Sequence, residues 1–192
     1  MKGFHYRKAV QALNYFACLK GGSLNKMKGL KLIWLSDRFH LRKYGRTITG
    51  DSYYALKFGP VASKTKDILD NSYYMGAQEL EYSNQFLTKD NYEYASLNPP
   101  LLKVFSKTDM EAFDSVLNAF GDLNEFQLSE LSHNFPEWKK FEAQLDAHGS
   151  RYPMDLLDFF KDNPTGIALF VDEEEDIILM ESLFTRKEKS NC

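Results

Sequence analysis

Residues 31–61, KLIWLSDRFHLRKYGRTITGDSYYALKFGPV, constrain the fold more than any other stretch of the chain. A helical pattern, a glycine stop, a polar turn, an aromatic run and a Gly-Pro step follow one another without a linker. Ser23 or Asn25 can cap the helix, which is predicted to run through Met27, Leu30, Trp34 and Leu41 to about residue 44. Leu32, Leu35 and Phe39 widen its apolar face, so it is expected to be central and contacted on more than one side. Gly45 ends it, and residues 47–51 form a turn in which Gly50 is free to take a positive φ. Residues 52–58 read equally as extended chain or short helix. Gly59-Pro60 reads as a helix start, with Pro60 at the first helical position, where its missing N–H costs nothing, and the helix ending near residue 69.

The flanking sequence reads mostly as helix. Residues 4–20 place Phe4, Val10, Leu13, Phe16 and Ala17 near helical spacing and stop at Gly21-Gly22. Between residues 79 and 97 the pattern changes: Leu80 and Tyr82, then Tyr92 and Tyr94, alternate with polar residues around a turn at 88–91, which predicts a β-hairpin. After Pro99-Pro100, Thr108 and Glu111 have capping-box spacing before Met110, Phe113, Val116, Leu117 and Phe120. Further helices are expected from Asp122 or Asn124 (Phe126, Leu128, Leu131), from Pro136 (Trp138, Phe141, Leu145) and from Pro153 (Leu156, Leu157, Phe160). A last one follows the acidic residues 172–176, whose charge suits a helix N-terminus. The expected fold is mainly α: a single domain of about seven helices over residues 1–185, with a small β-hairpin near the middle and a polar, disordered tail at 186–192.

Composition narrows the function classes. A content of 43% hydrophobic and 15% aromatic residues suits a chain that buries a core. The longest apolar runs are about four or five residues, far short of the roughly 18–20 that span a bilayer. The start MKGFHYRKAVQ lacks the apolar region of a secretory signal. Cys18 and Cys192 make no disulfide framework, so a reduced, cytoplasmic protein is expected. The net charge of -3 conceals an asymmetry: residues 1–66 hold 14 Lys or Arg against Asp37 and Asp51, whereas residues 67–192 hold 10 against 25 Asp or Glu. Either the basic third meets nucleic acid, or the two parts neutralise each other within the fold; the second reading is favoured.

Motifs for catalysis, metals and cofactors are missing. His5, His40, His133 and His148 form no pair that would put two metal ligands on one helical face, and no phosphate-cradling glycine motif occurs. Gly50-Asp51-Ser52 resembles an esterase nucleophile segment, but no base accompanies it at a recognisable position. No enzyme activity and no cofactor are therefore expected. Asp37 has no partner one turn away on its own helix and must find one elsewhere, while Arg38 can reach Asp51; a partly buried ion pair fixing the turn against the helix is the favoured reading. Tyr53, Tyr54, Tyr73, Tyr74, Tyr82, Tyr92 and Tyr94 cluster around the turn and hairpin among acidic neighbours, which favours a protein interface over nucleic-acid stacking.

The ordered combination of these residues resembles the SocA-like Panacea domain of bacterial antitoxins and phage-associated proteins. The resemblance rests on Lys8-Ala9, on Lys31-Leu32 with Trp34-Leu35 and Asp37-Arg38, and on Gly45, Ile48-Thr49-Gly50-Asp51, Tyr54-Ala55 and Gly59-Pro60-Val61. Leu128, Ser129, Leu131, Ser132 and His133 with Pro136 and Trp138 fit the distal motif, so about residues 5–145 are covered. The resemblance implies a helical domain that binds and neutralises an adjacently encoded toxin. Partner toxins in the family are diverse, including alarmone-synthetase-like enzymes, Fic/Doc-like enzymes and membrane-acting peptides. One branch instead acts as an adaptor that delivers its toxin to the ClpXP protease. Many members carry an N-terminal helix-turn-helix domain; it is not expected here, because the match begins almost at Met1. A small nucleic-acid-binding regulator is the remaining alternative.

Overall fold

The computed structural model describes residues 3–162 and 166–190. Helix α1 (Tyr6–Leu19) ends at two glycines of positive φ, which turn the chain into strand β1 (Ser23–Asn25). Helix α2 (Lys26–Tyr44) starts where the Asn25 side chain accepts the N–H groups of Met27 and Lys28, and stops at left-handed Gly45. Every residue from Gly29 to Arg42 is buried, so α2 is enclosed on all sides and forms the axis of the molecule. The expectation of a central helix holds.

The segment after α2 is extended. Strand β2 (Tyr53–Leu56) pairs antiparallel with β3 (Gly59–Ala62), and helix α3 (Ser63–Leu69) follows. Pro60 therefore lies in a strand and not at a helix start. It is tolerated because β3 is the edge of its sheet, where a missing N–H breaks no ladder bond. The true start of α3 has no local cap. The Asp51 carboxylate crosses over to accept the N–H groups of Lys64 and Thr65 and the Thr65 hydroxyl.

Residues 77–86 correct the hairpin expectation. They form helix α4 (Ala77–Phe86), and only residues 87–96 make the hairpin, as β4 (Leu87–Lys89) and β5 (Glu93–Ser96). An alternation of two apolar residues is too short to fix a period. Here Glu79 caps the Gly76 N–H, and Tyr82 and Phe86, one turn apart, lie against α1 and the core. The Asp90 carboxylate accepts the N–H groups of Tyr92 and Glu93 and shapes the hairpin turn. Strand β5 also pairs with β1, giving the sheet order β1-β5-β4.

Downstream, α5 (Lys107–Phe120) opens two residues before the predicted box, with Ser106 and Asp109 capping each other. Helix α6 (Glu125–Ser132) is capped by Asn124. The expected helix from Pro136 divides into α7 (Pro136–Lys139) and α8 (Glu142–His148). The expected helix from Pro153 is instead strand β6 (Tyr152–Pro153), added beside β2, followed by a 3-10 turn (Leu156–Phe160). Helix α9 (Glu174–Ser190) carries Glu174, Glu175 and Asp176 in its first turn as expected. Residues 186–190 of the expected polar tail are helical, and Asn191 and Cys192 lie outside the described residues. The described residues are mainly α: nine α-helices with two three-stranded antiparallel sheets.

Part of the charge asymmetry is neutralised by pairing across the fold. Lys8 and Arg46 meet Asp109, Lys20 meets Asp122, Arg38 meets Glu137, Arg42 meets Asp162 and Asp172, and Lys43 meets Glu111. Each pair joins a base from the first 66 residues to an acid from the remainder.

Candidate protein-binding groove

The two halves of the motif meet at the β2–β3 turn. The Trp138 indole N–H donates to the Leu56 carbonyl at 2.8 Å, and the Ser129 hydroxyl donates to the Phe58 carbonyl at 3.0 Å. From the other side the Lys31 ammonium donates to the Pro60 carbonyl at 2.9 Å. Gly59, at φ 97°, lets these elements close: a Cβ there would stand 2.0 Å from Ser132 Oγ and 2.6 Å from Lys31 Nζ. His133 stacks on Trp138 with centroids 3.8 Å apart, and Pro136 starts the short helix that carries the indole. Sequence-distant residues thus form one clamp around a four-residue turn.

Lys31 is buried to 1% exposure and, among the described residues, no acid pairs with it. Burial alone pulls its ammonium down to about 7. Burial also holds His133 below its ordinary value, and the Lys31 charge adds to that effect.

Asp37 and Arg38 do not form the expected ion pair with the turn. Asp37 accepts the Ile48 and Thr49 N–H groups and the Thr49 and Tyr53 hydroxyls, so it fixes the turn by hydrogen bonds. Burial raises its carboxyl above the ordinary range, and those donors act in the opposite direction. Asp51, pushed by burial up to about 6 against its own donors, serves α3. Arg38 is turned away from Asp51: its Nε meets Glu137 at 2.9 Å, a second nitrogen meets the Lys161 carbonyl at 2.6 Å, and its guanidinium lies against both the Phe135 and Phe170 rings, 4.9 and 4.6 Å from their centroids. Both members of the pair are fully buried. Leu32, Trp34 and Leu35 are core, with Trp34 edge-on to Phe135, and Gly50 takes the positive φ of the turn at 65°.

The clamped turn forms one wall of a groove of about 630 Å³ between α2, α3, the hairpin turn at 90–92 and the start of α6. Its floor is apolar, from Met27, Leu30, Leu56, Val61 and Leu69. Three aromatic rings stand on its rim: Phe58 at 58% exposure, Phe126 at 68% and Tyr92 at 78%. Exposed aromatics over an apolar floor are what a protein interface core requires. Lys26, Lys66 and Asp70 lie at the α3 end and Glu125 at the α6 end.

The tyrosines divide. Tyr92 is on the groove rim, and Tyr73 and Tyr74 are exposed, with their rings tilted against each other, and do not line it. Tyr53 and Tyr94 are buried, at 2% and 1%, so their rings are core and do not face a partner; the sequence showed their aromatic character but not which face of a two-residue period turned inward. Tyr54 and Tyr82 are half-buried, with Arg151 over one ring and Gln11 bonded to the other hydroxyl. Phe58 and Phe126 were not singled out as partner-facing in the sequence. Phe58 follows a strand whose turn position is visible only after β3 is recognised, and Phe126 falls in a helix too short to show its face.

Comparison with protein families places residues 30–139 in the family described as Antitoxin SocA-like, Panacea domain. The chain belongs to this family. The match spans both halves of the clamp, from Lys31 through Gly59 and Pro60 to Trp138, and it takes in every groove residue on α3, the hairpin and α6. Searches of curated proteins and of solved structures returned no match. Among the described residues no helix is long and apolar enough to cross a membrane, and no cluster of side chains could hold a metal ion.

Proposed function

We propose that this Panacea-domain chain is an antitoxin that neutralises an adjacently encoded toxin by direct stoichiometric binding, in the cytoplasm and without chemistry of its own. The observation that carries the reading is the aromatic-rimmed groove, which apart from residues 25–27 at the start of α2 lies within the span matched to an antitoxin family. Occluding the toxin's active site, or holding a conformation it cannot work from, is sufficient. The rings of Phe58, Phe126 and Tyr92 supply large, rigid contact area of the kind that dominates interface energetics. The ion pairs between the basic first third and the acidic remainder argue against a nucleic-acid regulator, because phosphate would have to displace acids already bound to those bases.

Co-expression with the product of the neighbouring gene tests the reading. Growth is expected to be rescued and the two chains to co-purify in fixed ratio. Toxicity that persists, or rescue with no complex, overturns it. An adaptor would rescue only while the protease is present, so deleting the protease separates that mechanism from occlusion.

A further inference from the structure

The charges around the groove are unbalanced in one direction. Lys26 and Lys66 both reach the same carboxylate, Asp70. Lys31, also in the lining, gives its ammonium to the Pro60 carbonyl. Lys89, which burial pulls down to about 8, stands close enough to Lys26 to repel it and, among the described residues, donates to Ser83 and the Ile68 carbonyl. Of the acids nearby, Asp90 holds two N–H groups of its own turn, and Glu125 lines the groove at its opposite, α6 end. The α3 end therefore offers two ammonium groups competing for one acid beside an apolar floor.

We propose that the groove takes an acidic amphipathic segment of the protein partner. Its apolar side chains seat on the partly exposed Met27, Leu56 and Val61 between Phe58 and Phe126, and its carboxylates pair with Lys26 and Lys66 in place of the shared Asp70. Complementary charge at the rim sets which partners are accepted and how fast they associate, while the aromatic rings that a partner covers set residence time. The inference rests on the antitoxin reading and narrows it to a chemistry: the partner surface presents carboxylates, not ammonium groups.

Two synthetic peptides with identical apolar positions, one with Glu and one with Lys at every polar position, provide the probe. They are titrated into the isotope-labelled full chain and followed by amide chemical shifts. The Glu peptide is expected to saturate, to shift residues around Phe58, Phe126 and Lys66, and to weaken about tenfold in a Lys26→Glu, Lys66→Glu chain. The same reversal is expected to improve the Lys peptide. Equal binding of both peptides to the natural chain, shifts confined to another face, or no saturable binding of the Glu peptide at about 1 mM overturns the inference. With the neighbouring gene product as ligand, the two readings separate. Neutralisation that survives both the charge reversal and Phe58→Ala defeats the groove chemistry and leaves the antitoxin reading intact, whereas failure of the natural chain to neutralise defeats the antitoxin reading itself.

Discussion

The Trp138 indole N–H and the Leu56 carbonyl, 82 positions apart in sequence, meet at 2.8 Å and tie α7 to the β2–β3 turn. Replacing Trp138 with Phe keeps a ring at the site but removes the donor. The variant is expected to lose about 1–2 kcal/mol of unfolding free energy in urea, because the Leu56 carbonyl is left without its partner. Unchanged stability would show that the bond does not hold the turn.

Gly59 is where the clamp closes. Gly59→Ala puts a Cβ into both Ser132 and Lys31 at a φ that L-residues rarely adopt, so a loss of at least about 2 kcal/mol is expected. Combining it with Ser132→Ala removes one clash and leaves the backbone strain. The double variant is expected to be more stable than the sum of the single losses predicts; strict additivity in a denaturation cycle contradicts the close approach.

The Arg38–Glu137 pair is fully buried, so breaking it and replacing it have different consequences. Arg38→Met strands a carboxylate and is expected to cost about 3–5 kcal/mol. Arg38→Met with Glu137→Leu removes both charges and is expected to recover more than half of that. Thermal unfolding of the three chains gives the comparison, and a double variant no better than the single one refutes the ion-pair account.

Lys31 sets a pH dependence. Its folded-state value of about 7 lies below the ordinary 10.5, so between those values the unfolded chain holds more protons than the folded one. The natural chain therefore gains stability from this residue as pH rises through that window, and carries the full penalty of the buried ammonium below it. Lys31→Met lacks the slope. Its stability relative to the natural chain is expected to fall by on the order of 3 kcal/mol between pH 7 and pH 10, as read from denaturation midpoints. A constant difference contradicts the buried, unpaired ammonium.

The central helix was readable from the sequence because Leu30, Trp34, Leu41 and their neighbours repeat over five turns, long enough for the period to declare itself, and because Asn25 and Gly45 mark its ends locally. The same logic failed where the deciding partner was distant. Pro60 looked like a helix start because neither the pairing of β3 with β2 nor the capping of α3 by Asp51, 13 residues upstream of Lys64 and 14 upstream of Thr65, leaves a local signature. Residues 79–86 looked extended because two alternating apolar residues outweighed the Tyr82–Phe86 spacing. Arg38 was placed opposite Asp51, whereas its partner Glu137 lies 99 positions away and carries no sequence mark distinguishing it from an exposed acid. The motif residues were legible as a set, but the clamp they build, and the groove it shapes, needed the contacts.

Calorimetric titration of the chain with the purified product of the neighbouring gene tests most directly the claim that neutralisation is binding through the clamped groove. The account predicts saturation at a fixed ratio, and loss of both the heat and the rescue of growth in a Phe58→Ala, Phe126→Ala chain whose melting temperature is unchanged. Full rescue with no measurable complex, or undiminished binding by the double variant, contradicts it.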